Sequence, residues 1–164
     1  MTSLRLPHRA RWSMRRFVDQ LLGGVAPRRV LLCDRYVRGE RNLESLALLV
    51  AALRQIDDAL ALEVWTERDG ADFKRIESLT GARPLGYADT FGGGAPHDRY
   101  ILVRTRRGED FAWQLSNSPL HARAIGSSAS PESELRWRDC AGTRLRPEQL
   151  DPRLSSWFSG GHHA

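Results

Sequence analysis

Lysine is almost missing from this chain of 164 residues: of its 25 basic positions, all but Lys74 are arginine. Such a skew, with abundant Ala and Gly, follows from GC-rich coding as readily as from a binding surface. The net charge of +5 still favours an anionic partner. Cysteine is scarce too. Cys33 and Cys140 are the only two, and Cys33 lies in an apolar run, where a buried free thiol is the ordinary case. Two cysteines without a nearby histidine pair make no standard zinc site. His162–His163 stands at the tail, so no metal and no cofactor is expected. No run approaches the roughly 18 apolar residues of a membrane span. The opening residues Met1 to Arg9 hold no continuous apolar segment and do not read as a secretory leader, so a cytoplasmic location and no membrane partner are expected. No internal repeat is visible.

What is present supports one domain with a real core, since 41% of the residues are hydrophobic. Trp12, Phe17, Val18, Leu21 and Leu22 are spaced for an amphipathic helix over 11–22, closed by Gly23-Gly24. Arg9, Arg11, Arg15 and Arg16 charge its first half, either to meet a phosphate backbone or as a solvated face. The run 29–34 reads as a buried strand bounded by turn residues. Asp34 and Arg35 fall at its C-terminal end, where open α/β sheets hold ligands. Residues 43–56 form the clearest helix, with Asn42 as its expected cap. A strand over 60–66 and a helix over 69–80, ended by Gly81, follow. Strand, helix, strand, helix implies a parallel pair. A short strand is expected near 83–87.

Phe91 to Pro96 is a loop with three glycines, which either lets the backbone approach a ligand or simply makes a turn. Residues 99–105 and 110–115 read as an antiparallel hairpin around Arg106-Arg107-Gly108. Residues 127–133 read as a polar loop, and 135–140 as an edge strand. A closing helix is expected over 147–158, interrupted near Pro152. The expected organisation is an N-terminal helix and arm (1–28), an α/β domain (29–158) and a flexible tail (159–164).

The hairpin carries the chemistry. Residues two apart on a strand point the same way, so His97 and Arg99 share one face and Asp98 and Tyr100 the other. A neutral imidazole beside a fixed cation is a nucleophile toward phosphorus. A guanidinium offers paired donors to phosphate oxygens. Ser116, Asn117 and Ser118 add neutral donors at the end of the neighbouring strand. Each has a plainer use as well: a structural His, a surface ion pair, a turn whose side chains bond the backbone.

The segment His97-Asp98-Arg99-Tyr100, followed by Ser116-Asn117-Ser118, resembles the half-motif of the phospholipase D-like superfamily, a His-x-Lys with a later Gly-Ser-x-Asn. The resemblance spans roughly residues 29–118 and is closest to single-motif members from bacterial defence and mobile-element proteins. His97 matches the family's His, Arg99 stands at its Lys and Ser116 at its Ser. Asn117 comes one place early, Ser118 holds the Asn position, and Leu115 replaces the Gly. The family's Asp falls on Arg104, with Glu109 or Asp110 as substitutes.

The fold implied is a phospholipase D-like half-domain, a mixed sheet flanked by helices. The activity implied is metal-independent phosphodiester hydrolysis on nucleic acid through a phosphohistidine on His97. Arg99, Ser116 and Asn117 would hold the phosphate, with Ser118, Asp34 and Arg35 as further substrate contacts. Because such sites combine two half-motifs, a homodimer or a larger partner chain is implied. His8, His121, His162 and His163 lack the motif's context, although His121 falls close after Ser118. The departures leave open a second reading, a catalytically degenerate module that binds nucleic acid or a partner protein.

Overall fold

Burial on both faces of one strand organises the molecule. The computed structural model describes residues 2–160. Strand β2 (Pro27–Cys33) alternates Val30 and Leu32 toward one side and Leu31 and Cys33 toward the other, and all four are buried. A strand apolar on both sides must be central and covered by two layers. It pairs in parallel with β3 (Ala61–Thr66) and antiparallel with β5 (Arg99–Thr105). The sheet has seven strands in the order β1-β9-β6-β5-β2-β3-β4. Its other members are β1 (Ser3–Leu6), β4 (Leu85–Gly86), β6 (Asp110–Leu115) and β9 (Cys140–Leu145). Only β2, β3 and β4 run parallel; the remaining neighbours are antiparallel. The fold is therefore a mixed β-sheet flanked by helices.

Helices α1 (Met14–Leu22), α2 (Glu40–Ile56) and α3 (Phe73–Thr80) share the larger core with Val30, Leu32, Ile101, Val103 and Trp113. Helices α4 (Tyr87–Phe91) and α5 (Pro152–Gly160) cover the other face over Leu31, Cys33, Leu102 and Ala112. Ser13 caps α1, its hydroxyl accepting from the Arg16 N–H at 3.0 Å. Gly23 closes that helix at φ 59°, a left-handed conformation natural to glycine. Cys33 and Cys140 are both free and buried. Burial pushes the Cys33 thiol up to about 12, so it stays protonated and inert. Among the described residues no helix is long and apolar enough to cross a membrane.

Several boundaries differ from the sequence expectation. Residues ahead of Arg29 are not an appended arm: β1 pairs with β9, and Phe17 and Val18 of α1 lie in the main core. Helix α2 starts at Glu40 after Gly39, and Asn42 does not cap it. The Asn42 side chain instead donates to the Tyr36 carbonyl and accepts from Arg123. The expected strand over 135–140 divides. Leu135–Arg136 (β8) joins Arg123–Ala124 (β7) in a small ribbon, while β9 enters the main sheet.

Strand β9 carries few apolar residues because its neighbours are large. A Cβ on Gly142 would stand 3.1 Å from Leu115 and 3.2 Å from Trp113. The closing segment is interrupted just ahead of Pro152, as expected: a 3₁₀ turn over Pro147–Gln149 ends before Pro152 opens α5, where a helix's first turn needs no N–H from it. Helix α5 continues through Gly160. The rest of the expected tail, with His162 and His163, lies outside the described residues.

Candidate anion site at the sheet edge

Strands β2 and β3 end, and β5 begins, along one edge of the sheet. Cys33 is level with Trp65 and Tyr100, and Arg99 with Leu115, the last residue of β6. Asp34, Arg99 and the Ser116-Asn117-Ser118 corner therefore converge there. Pleat alternation carries Asp34 to the side of Leu32, and Arg99 to the side of Ile101, both toward the α1–α2 layer.

The corner is tightly bonded. Asp34 is 1% exposed. Its carboxylate accepts from the Ser118 hydroxyl and, at 3.0 Å, from the Tyr36 N–H. Ser118 Oγ also accepts from the Leu120 N–H at 3.0 Å, starting the 3₁₀ turn Pro119–His121. Both side chains are thus committed to fixing the corner, not free to hold a ligand. Asp34→Asn replaces one of the two acceptor oxygens, leaving the buried Ser118 hydroxyl or the part-buried Tyr36 N–H without its acceptor, and should lower unfolding free energy by about 1–3 kcal/mol. Urea unfolding reads this directly. A midpoint equal to wild type would show that the carboxylate does not hold the corner.

Asn117 orders the next layer. Its Oδ1 accepts from the Ser118 N–H at 2.9 Å, and its Nδ2 faces the Asp139 carbonyl at 3.4 Å. The same Oδ1 lies 2.8 Å from His121 Nδ1. Burial, then Arg138, pull the His121 pKa down; Asp34 opposes them, and Arg99 and Arg123 add to the lowering. Arg123 is itself lowered by burial and by Arg41 and Arg138. Four guanidiniums thus act on one imidazole and its neighbours, and that of Arg123 is fixed in place by donating to the Leu120 carbonyl at 2.5 Å and to Asn42 Oδ1 at 2.9 Å. Arg99 makes no ion pair or side-chain hydrogen bond among the described residues, and its Nε is buried without a partner.

The other sequence candidates make no bond to this cluster. His97 is exposed in the bend before β5 and makes no hydrogen bond among the described residues. Asp98 accepts from Gln114, on the Tyr100 side as alternation requires. The Ser116 hydroxyl is exposed and accepts from the Ala141 N–H at 2.8 Å, stitching β6 to β9. Arg35 is neutralised: its Nε lies 3.3 Å from Glu67, and its Nη2 donates to the Ala95 carbonyl at 3.3 Å. The glycine loop does not offer its carbonyls to a ligand. Arg153 takes those of Phe91, Gly93 and Gly94 at 3.0, 2.6 and 3.0 Å.

Arg104 and Asp110 form a bidentate pair at 2.8 Å at the opposite end of β5. Arg104 stands five steps along β5 from Arg99, about 17 Å, so neither Glu109 nor Asp110 reaches the edge.

The structure therefore groups Arg99, Asn117, Ser118 and Asp34, and adds His121, Arg41, Arg123 and Arg138. The only sequence sign of the added residues was the spacing of His121, four places after Asn117. Such an edge can hold an anion with charge-assisted hydrogen bonds. Compared with protein-family models and with curated proteins, the chain matches none.

Proposed function

We propose that the chain is a phospholipase D-like half-domain that binds the phosphodiester backbone of nucleic acid at this sheet edge. One observation carries the reading. Of the 24 arginines, twelve pair with carboxylates among the described residues; Arg41, Arg99, Arg123 and Arg138 are among those that do not, and these four act on one another and on His121 at this edge. Uncompensated cations held together at one place repel each other unless an anion joins them.

Further cations lie on the adjoining ribbon, which favours a polymer over a single phosphate. Arg123 of β7 stands opposite Arg136 of β8. Residues 9 to 12 run beside β8: the Arg9 N–H donates to the Trp137 carbonyl, and the Trp137 N–H to the Ala10 carbonyl. His8, Arg9, Arg11 and Arg136 line one surface hollow. A strand with a phosphate at Arg99 and His121 would meet further cations along this ribbon.

Hydrolysis is the second reading. His97 supports it, as an unpartnered imidazole beside the same edge, with a second copy of the chain supplying the other imidazole. One experiment addresses both readings. Labelled single-stranded DNA and RNA are titrated with the protein in EDTA at several salt concentrations, then run on a denaturing gel. Binding should weaken with salt at a log–log slope near −3, about four phosphates on a single strand. Absence of salt-sensitive binding overturns the proposal. Strand cutting that disappears in His97→Ala would establish the hydrolytic reading.

A further inference from the structure

We propose that His121 contacts the bound phosphodiester through Nε2 and takes up a proton from solvent as the phosphate binds. This rests on the phosphodiester-binding reading above and assigns a role at that site to an imidazole outside the His97 motif.

The argument starts from Asn117. Its amide orientation is set by two bonds unrelated to the histidine: Oδ1 toward the Ser118 N–H and Nδ2 toward the Asp139 carbonyl. The atom 2.8 Å from His121 Nδ1 is therefore an acceptor, so Nδ1 must carry the hydrogen. In the neutral ring the lone pair then belongs to Nε2. Nε2 has no hydrogen-bond partner among the described residues. A lone pair repels a phosphate oxygen; an Nε2–H donates to it. The site can give a phosphate this last donor only in the imidazolium form.

The surrounding charges make that form depend on the ligand. The groups facing His121 are Arg138 beyond β8, Asp34 beyond β2, Arg99 at the start of β5 and Arg123 of β7. Arg41 and Glu44 of α2 act on Arg123 in opposite directions. Three of the four facing groups are cations, and the one anion already accepts two hydrogen bonds. Without a ligand, burial and these cations hold the imidazole neutral. A bound phosphate offsets the cations and places negative charge at Nε2, so the proton becomes favourable.

The sign follows from linkage. Binding raises the His121 pKa, so affinity rises as pH falls through the bound-state pKa and levels off below the free-state pKa. Each unit between those two values corresponds to about a tenfold gain in affinity.

The test uses the full chain and a ten-residue oligothymidylate as probe. Imidazole ¹⁵N resonances are followed from pH 8 to pH 5 with and without saturating probe, and His121 is assigned by its loss in His121→Gln. In parallel, probe affinity is measured across the same range for both proteins. The free protein should show the Nδ1–H tautomer with a pKa below the ordinary histidine value. The bound protein should titrate at least one unit higher. Wild type should gain at least about tenfold more affinity on acidification than His121→Gln. If the probe binds but the His121 titration does not move, or both proteins share one pH profile, the inference fails and the binding reading stands. If the probe does not bind at any pH, the binding reading fails and this inference with it.

Discussion

Arg99→Met is expected to weaken oligonucleotide binding by roughly 10- to 150-fold, the value of about 1.5–3 kcal/mol for a charged hydrogen-bonding group, without lowering stability. Both halves follow from the same geometry. The Arg99 side chain gives nothing to the fold: its Nε is buried without a partner, and Arg138 and Arg123 share its neighbourhood around His121. Methionine keeps much of the apolar stem and removes a half-buried guanidinium whose buried Nε lacks a partner. The melting temperature should hold or rise while the log–log salt slope falls by about one. A protein that binds as wild type, or that melts several degrees earlier, would show that Arg99 belongs to the scaffold. Arg138→Ala at the exposed rim of the cluster should weaken binding less, because water already screens it.

The largest effect on stability is expected at Trp113. It is 0% exposed, at the centre of the larger core, and its Nε1–H donates to the Leu21 carbonyl at 2.9 Å, tying β6 to the end of α1. Trp113→Ala should lower unfolding free energy by about 3–5 kcal/mol, a large part of the roughly 5–15 kcal/mol that holds a domain of this size. Gly142 makes the loss worse, since β9 has no side chain there to collapse into the space. Trp113→Phe keeps most of the volume and should lose only about 1–2 kcal/mol with the hydrogen bond. Urea midpoints at unchanged slope would check both values. An alanine variant within about 1 kcal/mol of wild type would mean that the core closes around the gap.

Long periodic segments are legible in the sequence itself. The apolar face of 43–56, the run 29–33, and the hairpin 99–105 with 110–115 appear within a few residues of their expected places. Each combines a repeated burial pattern with turn residues at its ends, which are local properties. Strands β1 and β9 were not legible. Four residues of alternating Ser-Leu-Arg-Leu, or a run such as Cys-Ala-Gly-Thr-Arg-Leu, become strands because Trp113, Leu115 and one another lie alongside. No local pattern encodes a partner more than a hundred residues away, as β1 and β9 are to each other.

The candidate site divides the same way. Sequence placed Asp34, Arg99 and the Ser116–Ser118 corner at strand ends, and parallel β2–β3 pairing with an antiparallel hairpin brings those ends to one edge. Which side chains remain free there was settled only in three dimensions. Asp34 and Ser118 satisfy each other, Glu67 neutralises Arg35, and Arg153 holds the loop ahead of His97. Arg41 comes from α2, Arg123 from β7 and Arg138 from the segment between β8 and β9, and none of the three forms an ion pair among the described residues. Composition determined that this protein would be basic and strand periodicity determined its sheet. Tertiary structure alone decided which arginines stay unpaired, because pairing depends on which carboxylates the fold brings within reach.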